Sequence, residues 1–391
     1  DDVFTYHLRA TAQMLHIYAL HPQAFGDGDL KIPESGNGIP DVLDESAWAL
    51  RFFLDHQRPD GAIPLGRGHD QDWIRDYERK HGSRPAFGIL PERNTSATEF
   101  AAVAALHARL IRPFDASAAA RHLKAAERAF AWAMSHPIAE DTDRGDALFR
   151  IWAGAELLAA NGSSTLGKTV TDLVAAGHLS SSHWSLAWMQ GMAEWAYLCV
   201  DADQSDEALK EQMKRRFLDR ADRWVTDLAS HPYAMSWSGK GDLGWGNGNG
   251  GGHYGYYLAL AHALTGEQRY LDAASRNADF QLGVNPLSRC FITGLGHRPP
   301  LNPQLNPLLY TRPKKLGATV PGISIYGLSG KNPETTITAW HPQTVPILRA
   351  YRDLGGGVES SSEFTITETI GVAAALYGYL DALAQAGETR R

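Results

Sequence analysis

Apolar residues recur at three- and four-residue steps through most of the 391-residue chain, and that period limits what it can fold into. Leu8, Ala12, Leu15 and Ala19 form one stripe; Leu43, Ala47, Leu50 and Leu54 form a second; Phe100, Val103, His107 and Leu110 form a third. Side chains so spaced share one face of an amphipathic α-helix. Further helices are predicted over 119–135, 146–160, 184–199, 207–229, 254–264, 268–282 and 364–384, with weaker ones at 166–176 and 344–354. Pro40-Asp41 is predicted to put Pro in the first turn of the second helix. Thr95/Ser96 with Glu99 resembles a capping box. Alternating strand patterns are scarce, and no Pro/Gly/Ser linker divides the chain. The expectation is one all-α domain over 1–391. About a dozen helices in one domain are most simply arranged as two concentric rings, an (α/α)6 barrel. No internal repeat of the kind that builds superhelical arrays is evident.

The connections are long: 21–39, 58–94, 230–252 and 283–343. Long loops in a compact domain are usually functional. The glycine-rich stretch 236–256 is interleaved with Trp237, Trp245, Tyr254 and Tyr256. Glycine lets backbone approach a ligand closely. The glycines do not follow a strand in the GxGxxG spacing, which argues against a nucleotide loop. Composition narrows the partners. The net charge of −7 comes without any Lys/Arg run, so nucleic acid is not expected. No apolar run is long enough to span a membrane. Eleven Trp and 14 Tyr in an acidic chain hint at sugars, whose C–H faces stack on rings. Cys199 and Cys290 lie in apolar surroundings and read as buried free thiols. Asp1-Asp2-Val3-Phe4 has no basic start or apolar stretch of a signal peptide.

Several ordered motifs carry a resemblance. Lys31-Ile32-Pro33-Glu34-Ser35-Gly36-Asn37-Gly38-Ile39-Pro40-Asp41-Val42-Leu43-Asp44-Glu45 resembles a signature of the family 9 glycoside hydrolases, the inverting cellulases and their relatives. Gln57 to Gly61, Ser96 to Val103, Leu264 to Ala274 with Leu282 to Leu287, and Phe291 to Pro300 are similar to further segments of that family, in the same order. The resemblance runs essentially end to end. It implies the (α/α)6 fold and hydrolysis of β-1,4-glycosidic bonds in cellulose, β-glucan or cello-oligosaccharides. It also implies a secreted or periplasmic protein and no organic cofactor.

The site residues follow from the same resemblance. The family carries its proton donor just before the last helix, and Ser362-Glu363-Phe364 occupies that place, with Ser362 where the family usually has Asn. A carboxyl group between a loop and apolar Phe364 and Ile366 is placed to have a raised pKa, as a general acid needs. Glu368, five residues on, reads as structural. The family's general base precedes the first matched helix, where this chain has Asp1-Asp2. Asp2 or Asp1 is the base by this alignment, unless the base lies upstream of residue 1. The chain then reads as N-terminally shortened, lacking a first barrel helix, from a parent that could carry an accessory N-terminal domain. Where the family has a His-His-Arg cluster, this chain has Gln304-Leu305-Asn306. His297 and Arg298 are candidates to replace it as substrate contacts, and Trp245 is a candidate sugar platform. Trp152 reads as core. Structural calcium is a possibility raised by Asp141, Asp143 and Asp146, though a solvated acidic loop is the simpler reading. Two other readings stay open: an exo-acting β-glucosidase or glucosaminidase-type member, and a carbohydrate-binding barrel that has lost its base.

Overall fold

The computed structural model describes residues 3–68, 79–82, 88–138, 145–179, 187–237, 243, 253–304, 320–329, 346–353 and 359–388. Asp1, Asp2, Trp245, Asp141 and Asp143 lie outside them. The chain divides into two compact units, Asp1–Phe217 and Leu218–Arg391.

The first unit is built from α1 (Thr5–Leu20), α2 (Asp41–Asp55), α3 (Asn94–Ile111), α4 (Ala116–Met134), α5 (Asp146–Asn161), α6 (Ser164–Ala175), α7 (Ala187–Leu198) and the start of α8 (Glu207–Ser230). Helix α3 is its axis. Every residue from Ser96 to Ala108 is buried, and α1, α2, α4 and α5 pack around it. A helix buried on all sides cannot show a polar face. The small side chains of Ala101, Ala102, Ala104, Ala105 and Ala108 let the surrounding helices approach it. Trp152 on α5 is fully buried, as its mid-helix place predicts. The scarcity of strands is matched, among the described residues, by one small antiparallel sheet: β1 (Val3–Phe4) pairs with β2 (Gly66–Gly68), and β2 with β3 (Gly88–Ile89).

The signature segment 31–45 runs from a loop wound on two carboxylates into the start of α2. Asp41 accepts from the Gly28 amide at 2.9 Å, the Leu30 amide at 2.7 Å and the Ser35 hydroxyl at 3.0 Å. The Gly28 bond leads the interactions that hold its carboxyl below the ordinary range. Asp27 accepts from the amides of Gly36 and Gly38. Gly61 ends the Gln57–Gly61 motif at φ +102°, against the Arg128 carbonyl, where a side chain would collide.

Some boundaries differ from the sequence reading. Pro40 precedes α2 and does not enter it. Helix α4 begins at 116, since Asp115 caps it through the Ala118 amide at 2.8 Å. The start of α3 is capped by Ser96, which accepts from the Arg93 amide at 3.1 Å, and not by Glu99. Glu99 instead grips Arg9 of α1 through two bonds, at 2.7 and 2.8 Å. The helix predicted at 344–354 is only a 3-10 turn, Ile347–Arg349, within the described part, after Pro346.

His107, from the third apolar stripe, meets α4. Its Nε2 lies 3.0 Å from the Leu43 carbonyl, and its Nδ1 lies 3.0 Å from Nδ1 of His122. A carbonyl only accepts, so His107 carries its proton on Nε2. Burial keeps His107 neutral, so its Nδ1 is an acceptor, and His122 must donate from Nδ1. That leaves Nε2 of His122 as a lone-pair acceptor. Burial, with His107 alongside, lowers the His122 pKa from 6.5 to about 4. Between those values the unfolded chain binds a proton that the native one does not, so stability is whole above the unfolded value and lost as pH falls. The thermal midpoint should therefore drop as pH falls from 6.5 towards 4, by a loss on the order of 2–3 kcal/mol. His122→Gln should flatten part of that slope, and an unchanged slope in the variant would contradict the assignment.

Candidate active site

The second unit holds the rest of α8, then α9 (His253–Thr265), α10 (Gln268–Leu282), the short α11 (Glu359–Ser362) and α12 (Val372–Glu388). Helix α9 packs on α10 and α12. Beside these helices lies a largely non-helical block whose core, shared with Phe280 of α10, is Met235, Trp237, Leu243, Phe291, Ile323, Ile325, Leu328 and Tyr351. Phe364 packs against it, which ties the neighbouring Glu363 to that core.

Glu363 is fixed by its backbone. Its carbonyl accepts the Tyr326 amide at 2.9 Å. The carbonyl of Ser361 accepts the Gly327 amide at 2.9 Å, and that of Ser362 accepts the Gln304 amide at 2.8 Å. Ser362 is fully buried and Glu363 half-buried. The helix predicted from 364 begins at Val372, because Ile366–Gly371 forms a π-helical turn. Such turns hold one residue more per turn than α-helix and are frequent at functional sites. Thr365 caps it, accepting the Glu368 amide at 3.1 Å, while the Ile370 amide reaches the Thr365 carbonyl at 3.1 Å.

Glu368 is held by Tyr326, whose hydroxyl donates to its Oε2 at 2.8 Å. Burial first, then the Glu368 charge and more weakly that of Glu363, push the Tyr326 phenol well up, so it stays a donor. Tyr326 thus touches Glu363 through its backbone and Glu368 through its side chain. The sequence reading did not single it out; Ser324-Ile325-Tyr326-Gly327 lacks any spacing that marks a site.

The segment of His297 and Arg298 belongs to the same block. Residues 291–293 pair with 323–325: the Ile325 amide donates to the Phe291 carbonyl at 3.1 Å and the Thr293 amide to the Ile323 carbonyl at 2.9 Å. The strand of backbone at 323–327 is therefore bonded on one side to the segment leading to His297 and on the other to the segment of Glu363. His297 and Arg298 are both exposed. The Arg298 guanidinium reaches back to the Leu287 carbonyl at 3.5 Å, and its own carbonyl accepts from Arg289 at 3.1 Å. Asp353 anchors the following turn by accepting the amides of Leu301 at 2.8 Å and Asn302 at 2.7 Å. Gln304, beside Ser362, has a buried side-chain oxygen that bonds to nothing among the described residues.

Both cysteines are free; Cys290 is buried, while Cys199 is half-buried, its thiol pushed up to about 12 by burial with the Glu156 charge adding. Among the described residues no three His, Cys, Asp or Glu side chains gather as a metal site. Asp146, one of the three calcium candidates, is bonded to Arg150 at 3.0 Å and to Asn94 at 3.0 Å. No described helix is long and apolar enough to cross a membrane.

Comparison with known proteins places the chain among the helical glycoside hydrolases. The family model for glycosyl hydrolase family 9 matches residues 4–334, and the chain belongs to that family. Glu363 lies beyond the matched stretch. The chain is 27% identical over 377 residues to a cellulose 1,4-β-cellobiosidase of Acetivibrio thermocellus, covering 84% of this chain and 41% of that protein. It is 27% identical over 361 residues to a xyloglucan-specific endo-β-1,4-glucanase of Bacteroides ovatus, covering 85% and 59%. It thus spans about half the length of these curated relatives. A metagenome-derived family 9 endoglucanase structure matches with a TM-score of 0.79 at 28% identity, over 97% of this chain and 69% of that one. The fold is the all-α (α/α)6 class expected from the sequence.

The tie between Tyr326 and Glu368 can be tested by itself. Glu368→Ala strands a buried phenol and should cost about 1–3 kcal/mol in denaturant unfolding, while Glu368→Gln keeps an acceptor and should recover most of it. Equal stability of the two variants would remove the structural role given to Glu368.

Proposed function

We propose that residues 1–391 form one catalytic domain that hydrolyses β-1,4-glycosidic bonds of cellulose, β-glucan or cello-oligosaccharides with inversion, and that it acts outside the cytoplasm. The observation that carries the reading is the family 9 match over residues 4–334, with Glu363 following it just before a π turn. Glu363 is the general acid. It protonates the glycosidic oxygen as the bond to the anomeric carbon breaks. A carboxylate on the other face of the sugar, Asp2 or else Asp1, takes a proton from the water that attacks that carbon. Inverting pairs stand roughly 6.5–9.5 Å apart to leave room for this water. Trp245 serves as a stacking platform, and His297 and Arg298 contact the substrate. Gln304, where the family has His, favours one second reading: an exo-acting member that takes β-glucosides or glucosaminides.

Glu363→Gln keeps the shape but has no proton to give, so hydrolysis should fall by about 10²–10⁴ with folding unchanged. Near-normal turnover would move the acid to another residue. Asp2→Ala should be comparably inactive. Loss in Asp1→Ala but not Asp2→Ala would assign the base to Asp1, and activity in both would exclude the pair. Initial rates on cello-oligosaccharides and on chitosan oligomers separate the two substrate readings.

A further inference from the structure

Helices α2 and α4 of the first unit enclose an open groove of about 670 Å³. That lies within the roughly 300–1,000 Å³ of small-molecule sites. Its wall carries Trp48, whose side chain is 62% exposed. The core does not account for this residue. The buried residues of α2 are Asp41, Leu43, Ser46, Leu50 and Phe53, and Trp48 stands off that face. The Arg51 guanidinium lies 5.5 Å from the indole centroid and steadies the ring.

His122 also lines the groove, and it is the opposite case: 7% exposed, with its orientation imposed from behind. The relay from the Leu43 carbonyl through His107 fixes its proton on Nδ1 and commits that atom. Nε2 is left as a preset acceptor with no other hydrogen bond among the described residues. Around these two, the loop before α2 and α2 itself carry acidic Glu34, Asp44 and Asp55, and α4 carries basic Arg121, Lys124 and Arg128. Mixed signs give an anion or a cation no net advantage. They suit a neutral molecule with many hydroxyls, which donate to carboxylates and imidazole and accept from guanidinium, while its C–H face covers the indole.

We propose that this groove is a second carbohydrate site, binding a β-linked oligosaccharide with Trp48 as the platform and His122 Nε2 as a hydroxyl acceptor. It uses none of the residues assigned to hydrolysis; the choice of a β-glucan as ligand rests on the function proposed above.

The test uses the Glu363→Gln chain with ¹⁵N-labelled tryptophan, titrated with cellohexaose. The Trp48 indole signal is identified by its loss in Trp48→Ala. It should shift saturably. In the otherwise native chain, Trp48→Ala should reduce retention on insoluble β-glucan by about fivefold, with kcat/KM on short soluble cello-oligosaccharides within about twofold of the parent. A Trp48 signal that stays fixed while other tryptophans respond, or unchanged retention, overturns the proposal. If the native chain hydrolyses no β-1,4-glucan and the Trp48 signal still shifts, the groove stands and the assigned reaction falls. Hydrolysis with a static Trp48 signal sinks the groove alone.

Discussion

Buried backbone that is neither helix nor sheet must still pair every amide and carbonyl, and the second unit is organised by that requirement. The block around 291–293, 323–327 and 361–363 meets it by cross-bonding three segments far apart in sequence. The carbonyls of Ser361, Ser362 and Glu363 each accept a specific amide, from Gly327, Gln304 and Tyr326. Side chains complete the set, as where Gln281 donates to Ser324 at 2.6 Å and Thr293 to the Val320 carbonyl at 2.6 Å. Glu363 is consequently placed by the main chain on both sides of it.

The first unit meets a different requirement. Its interior holds charges, and several of them are paired. Asp146 and Arg150 pair on one helix while both are buried. Glu156 faces His16 at 3.4 Å and Arg109 at 3.6 Å, and Glu194 faces Arg216 at 3.2 Å. A pair of this kind adds little over an apolar core of the same shape, but removing one partner is expensive because the other stays charged in a dry place. The Glu156 contacts join α1, α3 and α5, and Glu194–Arg216 joins α7 to α8, so these contacts help to fix which helix faces which.

Much of this was legible in the sequence. The stripes on α1 and α2 gave both helices, and the pattern 268–282 matched α10 at both ends. The stripe on α3 identified a helix but understated its burial, since alanine reads as neutral in a periodicity count. The paired carboxylates were not legible: Glu99 fits a capping box three residues after Ser96, and only the approach of Arg9, 90 residues away, shows where it points. The same holds for the site. The proposal of Glu363 rests on a family resemblance, since one Glu at a helix start is otherwise an ordinary dipole-stabilised residue. Tyr326 and the π turn were missed because neither leaves a periodic trace. Trp48 was passed over because it sits beside an apolar stripe that already explained the helix.

Single-displacement hydrolysis is most directly tested by ¹H NMR of the first sugar released from a β-linked cello-oligosaccharide, recorded before mutarotation. One attack by water on the face opposite the leaving group gives the α-anomer first. That is the result expected here. The β-anomer appearing first would mean two displacements and a covalent intermediate, and would contradict the roles given to Glu363 and to the water-activating carboxylate.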